Sequence, residues 1–147
     1  MDRNSDLGSA HTSAIAKRLG FDSASNYQFV HFTDVNRDYG EILADVIPMW
    51  QRCYDLYGGN YFPHVSLGWD NNLRFHKFKP NIVKNNTPEA VEEALRLAKE
   101  FVDTHELPAP LITLNSWNEW TETSYLEPDQ LYGYGYLEAV KKVFCEE

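Results

Sequence analysis

The sequence predicts an α/β fold built on a parallel sheet. Three observations point there. Helical and strand-like stretches alternate along the chain in the order α-β-α-β-α-β-α. Strands separated by helices of this length need right-handed crossovers, which lay the strands side by side and parallel. One strand candidate, "APLITLNSW", is apolar on consecutive positions, as a parallel strand covered on both faces is.

The elements follow in order. "HTSAIAKRLG" predicts a short helix, with Thr12 or Ser13 as N-cap and Gly20 closing it. "SNYQFVHF" predicts an aromatic-rich strand. In "RDYGEILADVIPMWQRCYDLYGG", Leu43, Val46, Ile47, Trp50, Tyr54 and Tyr57 fall at helical spacing, and Gly58 and Gly59 stop the helix. Pro48 inside that pattern predicts a kink or a late start. "YFPHVSLGW" predicts a strand ending at Gly68. "NTPEAVEEALRLAKEFVDTHEL" is the clearest helix: Thr87 caps it and Pro88 takes the first helical position. Val91, Ala94, Leu95, Ala98 and Val102 face inward. "APLITLNSW" is the third strand, and "YLEAVKKVF" closes the chain as a helix with Leu137, Val140 and Phe144 inward. A full (β/α)8 barrel takes about 250 residues, and this chain has 147. The pattern therefore fits a small three-layer domain or a C-terminal piece of a barrel. Three strands leave two exposed sheet edges, which two copies of the chain would cover by self-association.

Composition narrows the function classes. Asp and Glu number 22 against 13 Lys and Arg, for a net charge of −9. An acidic chain without a cluster of cations is a poor ligand for nucleic acid; the nearest such cluster, "RFHKFK" at 74–79, is short. No apolar run approaches the ~20 residues of a membrane span. "MDRNSDLGSAHTS" shows no apolar leader. Cys53 and Cys145 make neither a disulfide framework nor a metal pattern. A cytoplasmic protein is the expectation. His11, His31, His64, His76 and His105 form no zinc motif. "DVNRDYGEILAD" starts like a calcium loop, but Tyr39 stands where glycine is required and Asp45 where glutamate is. There is no phosphate-binding glycine loop, no nucleophile elbow, and no Asp-x-Asp pair. "NNT" at Asn85 matches a glycosylation sequon, which carries little without a secretion signal.

Polar residues gather where strands end, the side on which parallel α/β folds build their sites. One strand runs into "SLGWDNNLRFH", with Trp69, Asp70, Asn71, Asn72 and Arg74; another runs into "NSWNEWTETSYLEP". If the two strands pair, the two clusters share a rim. Tryptophans with carboxylates and amides suit sugar: aromatic faces cover the C–H side of a pyranose while polar groups bind its hydroxyls. Glu119 and Glu122, three apart, fall on one side of a tight turn and can serve as acid and base at a glycosidic bond. A blander reading has Trp69 and Trp117 plugging the rim while the polar residues cap helices. Glu127, two positions after Tyr125, is either a third site carboxylate or a charge at a helix start.

"NSWNEWTETSYLEPDQLYGYGYLEAV" resembles the C-terminal signature of the WbsX-type family, proteins named as glycosyltransferases of polysaccharide and O-antigen biosynthesis. "FPHVSLGWDNNLRF" and "LGFDSASNYQF" resemble the strands and loops before it in that family. The family is similar in fold to the family 99 glycoside hydrolases. The resemblance implies that residues 1–147 are a single partial domain, about the last three βα units of a (β/α)8 TIM-type barrel. It also implies roles: Glu119 as base on the substrate 2-hydroxyl, giving an anhydro-sugar, and Glu122 as acid on the leaving oxygen. Trp69, Asp70, Arg74, Asn118, Trp120, Tyr125 and Glu127 would shape the sugar site, with Trp117 packing and Trp120 nearer the sugar. No metal or organic cofactor is implied, and the substrate is a glycan or sugar nucleotide. Glycosyl transfer is the first expectation. Mannosidase-like endo-hydrolysis of an α-glycoside and a truncated, non-catalytic sugar-binding piece are the alternatives. The signature usually has glycine after the second glutamate, and this chain has Thr123. A glycine there lets the backbone turn tightly. "WDNN" also departs from the family's usual continuation.

Overall fold

The computed structural model describes residues 7–145. Residues 1–6, part of the stretch read as lacking an apolar leader, and residues 146–147 lie outside the described residues. The elements are α1 (Ala10–Leu19), β1 (Ala24–Ser25), α2 (Tyr39–Tyr57), β2 (Tyr61–Phe62), β3 (His64–Ser66), α3 (Pro88–Thr104), β4 (Thr113–Asn115), β5 (Asn118–Glu119), β6 (Ser124–Tyr125) and α4 (Gly135–Phe144). The mixed α/β class holds. β1 pairs with β2 and β3 with β4, both in parallel. Pro63, with no N–H to give, separates β2 from β3; its carbonyl still accepts from the Thr113 N–H at 3.0 Å.

The helices form where side chains and caps agree. Asp38 caps α2 by accepting from the Gly40 N–H, and Gly58 ends it in the left-handed conformation. Pro48 does not break α2. It lies on the exposed face with Ala44, whose carbonyl loses its helical donor but stays within reach of water. Thr87 caps α3, with Pro88 at the first position, as the sequence predicts. Ile42, Val46 and Trp50 of α2 pack with Val91, Ala94, Leu95 and Ala98 of α3 and with Tyr61, Val65 and Leu67 beneath, all fully buried. Each large side chain taken from water this way contributes roughly 1.5–3 kcal/mol before entropy. Tyr39, also buried, donates its hydroxyl to the Ser66 carbonyl at 2.7 Å, tying α2 to the end of β3.

Several expectations need correction. The cap of α1 is Ser9, which accepts from the Thr12 N–H. Ser13 is inside the helix and buried, donating to the Leu56 carbonyl at 2.9 Å. "SNYQFVHF" contributes no long strand: β1 is two residues and Phe29–His31 is a 3-10 turn. Its ladder groups are used elsewhere, with the Phe29 N–H donating to Ser66 Oγ at 3.0 Å. The third strand is shorter than "APLITLNSW", with Leu111 exposed and Leu114 only half-buried. Among the described residues β4 has a partner strand on one side only, so it is not covered as a central strand is. On α3, Phe101 rather than Val102 is fully inward. On α4 the inward face is Tyr136, Ala139 and Val143; Leu137 and Val140 are half-buried and Phe144 is exposed. The Tyr136 hydroxyl, which donates to the Asn86 carbonyl at 2.6 Å, helps set that rotation.

Candidate functional site

The loops after β3 and β4 leave adjacent parallel strands at the same end, so the two polar-aromatic clusters share one rim. Backbone contacts lock them. The Asp70 N–H donates to the Glu122 carbonyl at 2.8 Å, and Thr123 Oγ1 donates to the Asp70 carbonyl at 3.2 Å. Gly68 makes the approach possible: a Cβ there would run into the Thr123 carbonyl oxygen and the Asn86 amide. Thr123 itself sits at φ 52°, in the left-handed region where glycine is at home and a β-branched residue is strained. The place where the signature has glycine is thus one where glycine's conformational freedom would be used.

Arg74 joins the two glutamates. Its Nη2 donates to Glu119 Oε1 and its Nη1 to Glu122 Oε1, each at 2.8 Å, while Nε donates to Thr121 Oγ1 at 2.8 Å. Thr121 in turn donates to Glu119 Oε1 at 2.9 Å. Glu119 ends β5 and is part-exposed; Glu122 ends a 3-10 turn at Trp120–Glu122 and is buried. Such charge-assisted bonds fix two carboxylates that would otherwise repel. Glu122 Oε2 is buried with no hydrogen-bond partner among the described residues.

A second group stands beside the first. The Trp120 and Tyr125 rings stack at 4.0 Å with a 28° interplanar angle. Trp120 Nε1 donates to Glu127 Oε2 at 2.9 Å, and the Tyr125 hydroxyl donates to Asp129 Oδ2 at 2.7 Å. Burial, then the bond to Asp129 and its charge, push the Tyr125 phenol up to about 12. One face of this aromatic wall remains open, since Trp120 is 41% exposed.

The other candidates are placed differently. Trp69 is half-buried, packed against the core beneath the rim. Trp117, expected to pack, is 53% exposed; its carbonyl ties the loop by accepting from the Glu127 N–H at 2.9 Å. Asp70 Oδ1 accepts from the Asn72 N–H and side-chain amide, a local turn bond. Asn118 lies exposed on the β5–β6 hairpin. That antiparallel hairpin, Asn118 opposite Tyr125 and Glu119 opposite Ser124, carries no turn dipeptide that would have announced it.

Sequence reasoning missed the base of the loop. Gln28, fully buried, donates through Nε2 to Asn115 Oδ1 at 2.6 Å and to Ser124 Oγ at 3.2 Å. Ser124 Oγ donates to the Asn115 carbonyl at 2.7 Å, and Ser116 Oγ donates to the Ser124 carbonyl and accepts from the Glu119 N–H, both at 3.1 Å. One side chain thus holds both ends of the segment that bears Glu119 and Glu122. The only signal was a lone glutamine in an aromatic stretch. His64 is buried below, its Nδ1 bonded to Thr113 Oγ1 at 2.9 Å; burial, then His31, push it down to about 3. Among the described residues no group of three His, Cys, Asp or Glu side chains is placed to hold a metal ion, and no helix is long and apolar enough to cross a membrane.

The family model described as "Glycosyltransferase WbsX" matches residues 4–140. Two curated relatives from strains of Xanthomonas campestris pv. campestris, both described as "Uncharacterized protein WxcX", are each 31% identical over 106 residues. The match covers 71% of this chain and 14% of each relative, so the chain spans a small part of their length. No solved structure matches.

Proposed function

This chain belongs to the glycosyltransferase WbsX family, and from that premise we propose that its rim is a sugar-transferring site of polysaccharide assembly. The single observation that carries the reading is Arg74 bridging Glu119 and Glu122 across loops from two paired strands. Glu119, the more exposed carboxylate, is the base that takes the proton of the substrate 2-hydroxyl as that oxygen attacks C1. Glu122 is the acid that protonates the departing oxygen. In the second step Glu122 takes the proton of the incoming hydroxyl, which opens the anhydro ring at C1, and Glu119 returns its proton to the 2-oxygen. The acceptor hydroxyl decides the outcome: a sugar hydroxyl gives transfer, water gives mannosidase-like hydrolysis. The open face of Trp120 takes the C–H side of a pyranose, from a glycan or a sugar-nucleotide donor. In a longer parent chain, Glu119→Gln and Glu122→Gln should each lower glycan turnover about 100- to 10,000-fold, the usual worth of positioned acid–base groups. Unchanged turnover in both sinks the assignment.

The reading includes a partial (β/α)8 barrel of about three βα units over residues 1–147. The parallel pairs and the short match to longer relatives support it. It also includes a cytoplasmic setting, which a sequence with two cysteines and no disulfide framework supports. A second reading, a non-catalytic sugar-binding piece that self-associates, is favoured by β1 and β4 each having one partner strand among the described residues. Exposed Leu19, Phe21 and Tyr27 flank β1. Light scattering behind size exclusion separates the two: a folded, active monomer excludes the self-associating piece.

A further inference from the structure

The segment that leads out of the rim combines exposed apolar side chains with cations. Residues 73–80 are exposed without a break. Three are large and apolar: Leu73 is 78% exposed, Phe75 45% and Phe78 76%. From 71 to 87 the chain carries Arg74, Lys77, Lys79 and Lys84 and no Asp or Glu, in a molecule of net charge −9. The segment is also built. Asn72 closes its neck, donating through Nδ2 to the Lys79 carbonyl at 2.9 Å and accepting at Oδ1 from the Lys79 N–H at 2.6 Å. Lys79 Nζ lies 3.0 Å from the centre of the Phe75 ring. Leu73 and Phe78 are thus presented by a pinned loop.

Apolar side chains interleaved with cations on a projecting loop match one environment: the boundary of a bilayer, with acyl chains for Leu and Phe and anionic headgroups for Lys. A polyanion such as nucleic acid offers the charge without the hydrocarbon that Leu73 and Phe78 call for. We propose that residues 73–79 are a docking loop for an anionic membrane surface. Arg74 belongs to the same loop and holds Glu119 and Glu122, so docking sets the rim against the bilayer. This inference does not rest on the catalytic roles given to those glutamates.

The test is co-sedimentation of the purified chain with phosphatidylcholine vesicles and with vesicles that also contain phosphatidylglycerol. The expected result is binding to the anionic vesicles that weakens as salt is raised. Lys77→Glu with Lys79→Glu should lower that binding by at least about tenfold, as two reversed charges near the surface require. Leu73→Ser with Phe78→Ser should abolish it, with the circular dichroism unchanged because both side chains are exposed. No binding to anionic vesicles at low salt overturns the proposal. So does equal binding by either double variant, or retention on heparin without binding to vesicles.

Discussion

The α2–α3 layer and the rim loops are built on opposite rules. Between α2 and α3 nearly every inward side chain is apolar and buried, and Trp50 packs edge-on against Phe101 at 5.9 Å. At the rim the backbone is short strands and 3-10 turns, a β-branched residue sits at positive φ, and the Glu122 carboxylate is buried. The helical layer spends its residues on stability. The rim holds carboxylates, a guanidinium and an open aromatic face in one geometry, at a cost in local strain. The difference teaches where chemistry is to be sought: where charged groups are held in fixed positions within reach of solvent.

Substitutions should separate the two regions. The largest effect belongs to the helical layer. Trp50→Ala should cost about 3–5 kcal/mol, read as a lower urea midpoint, and should reduce rim function only through loss of fold. Gly68→Ala comes next, at about 1–3 kcal/mol. The new methyl group meets the Thr123 carbonyl, so it should displace the Glu122 loop while leaving α2 and α3 intact. Hydrogen exchange should show protection lost around residues 116–125 and kept in the helices. If both regions loosen together, the rim is not a separable unit.

His64 gives a pH-dependent prediction. Its imidazole is held down to about 3 by burial, against 6.5 when exposed. Above about pH 6.5 neither folded nor unfolded imidazole is protonated, and His64 contributes no pH dependence. Between about pH 6.5 and 3 the unfolded chain takes up a proton that the folded chain refuses, so stability falls as pH falls. The slope approaches about 1.4 kcal/mol per pH unit. His64→Asn should flatten the urea midpoint in that window relative to the parent; parallel curves would contradict it. The smallest effect is Thr123→Gly, which removes the left-handed strain but loosens the unfolded chain and loses the bond to Asp70. A net gain of about 1 kcal/mol or less is expected, seen as a slightly higher melting temperature.

Much of the helical layer was legible in the sequence, because Trp50, Val91, Leu95 and their neighbours repeat with a period that only a helix satisfies. The strands were legible in direction and order but not in length. Pro63, and bonds such as Phe29 N–H to Ser66 Oγ, divert backbone groups from the ladder in ways no local pattern records. At the rim, the meeting of Glu119 and Glu122 could be read from their spacing and from the paired strands. Arg74 reaching both of them, the Gln28 tie and the open Trp117 depend on contacts between residues dozens of positions apart. Propensity and periodicity are blind to those.

The central claim is that the two glutamates divide the work, Glu119 as base and Glu122 as acid. It is tested most directly by comparing the glycosyl fluoride of the accepted sugar with its natural glycoside in the longer parent chain. Fluoride leaves with little need of a proton. The account predicts that Glu122→Gln recovers most of its lost first-step rate on the fluoride while Glu119→Gln does not. Equal losses for both variants on both substrates would contradict it.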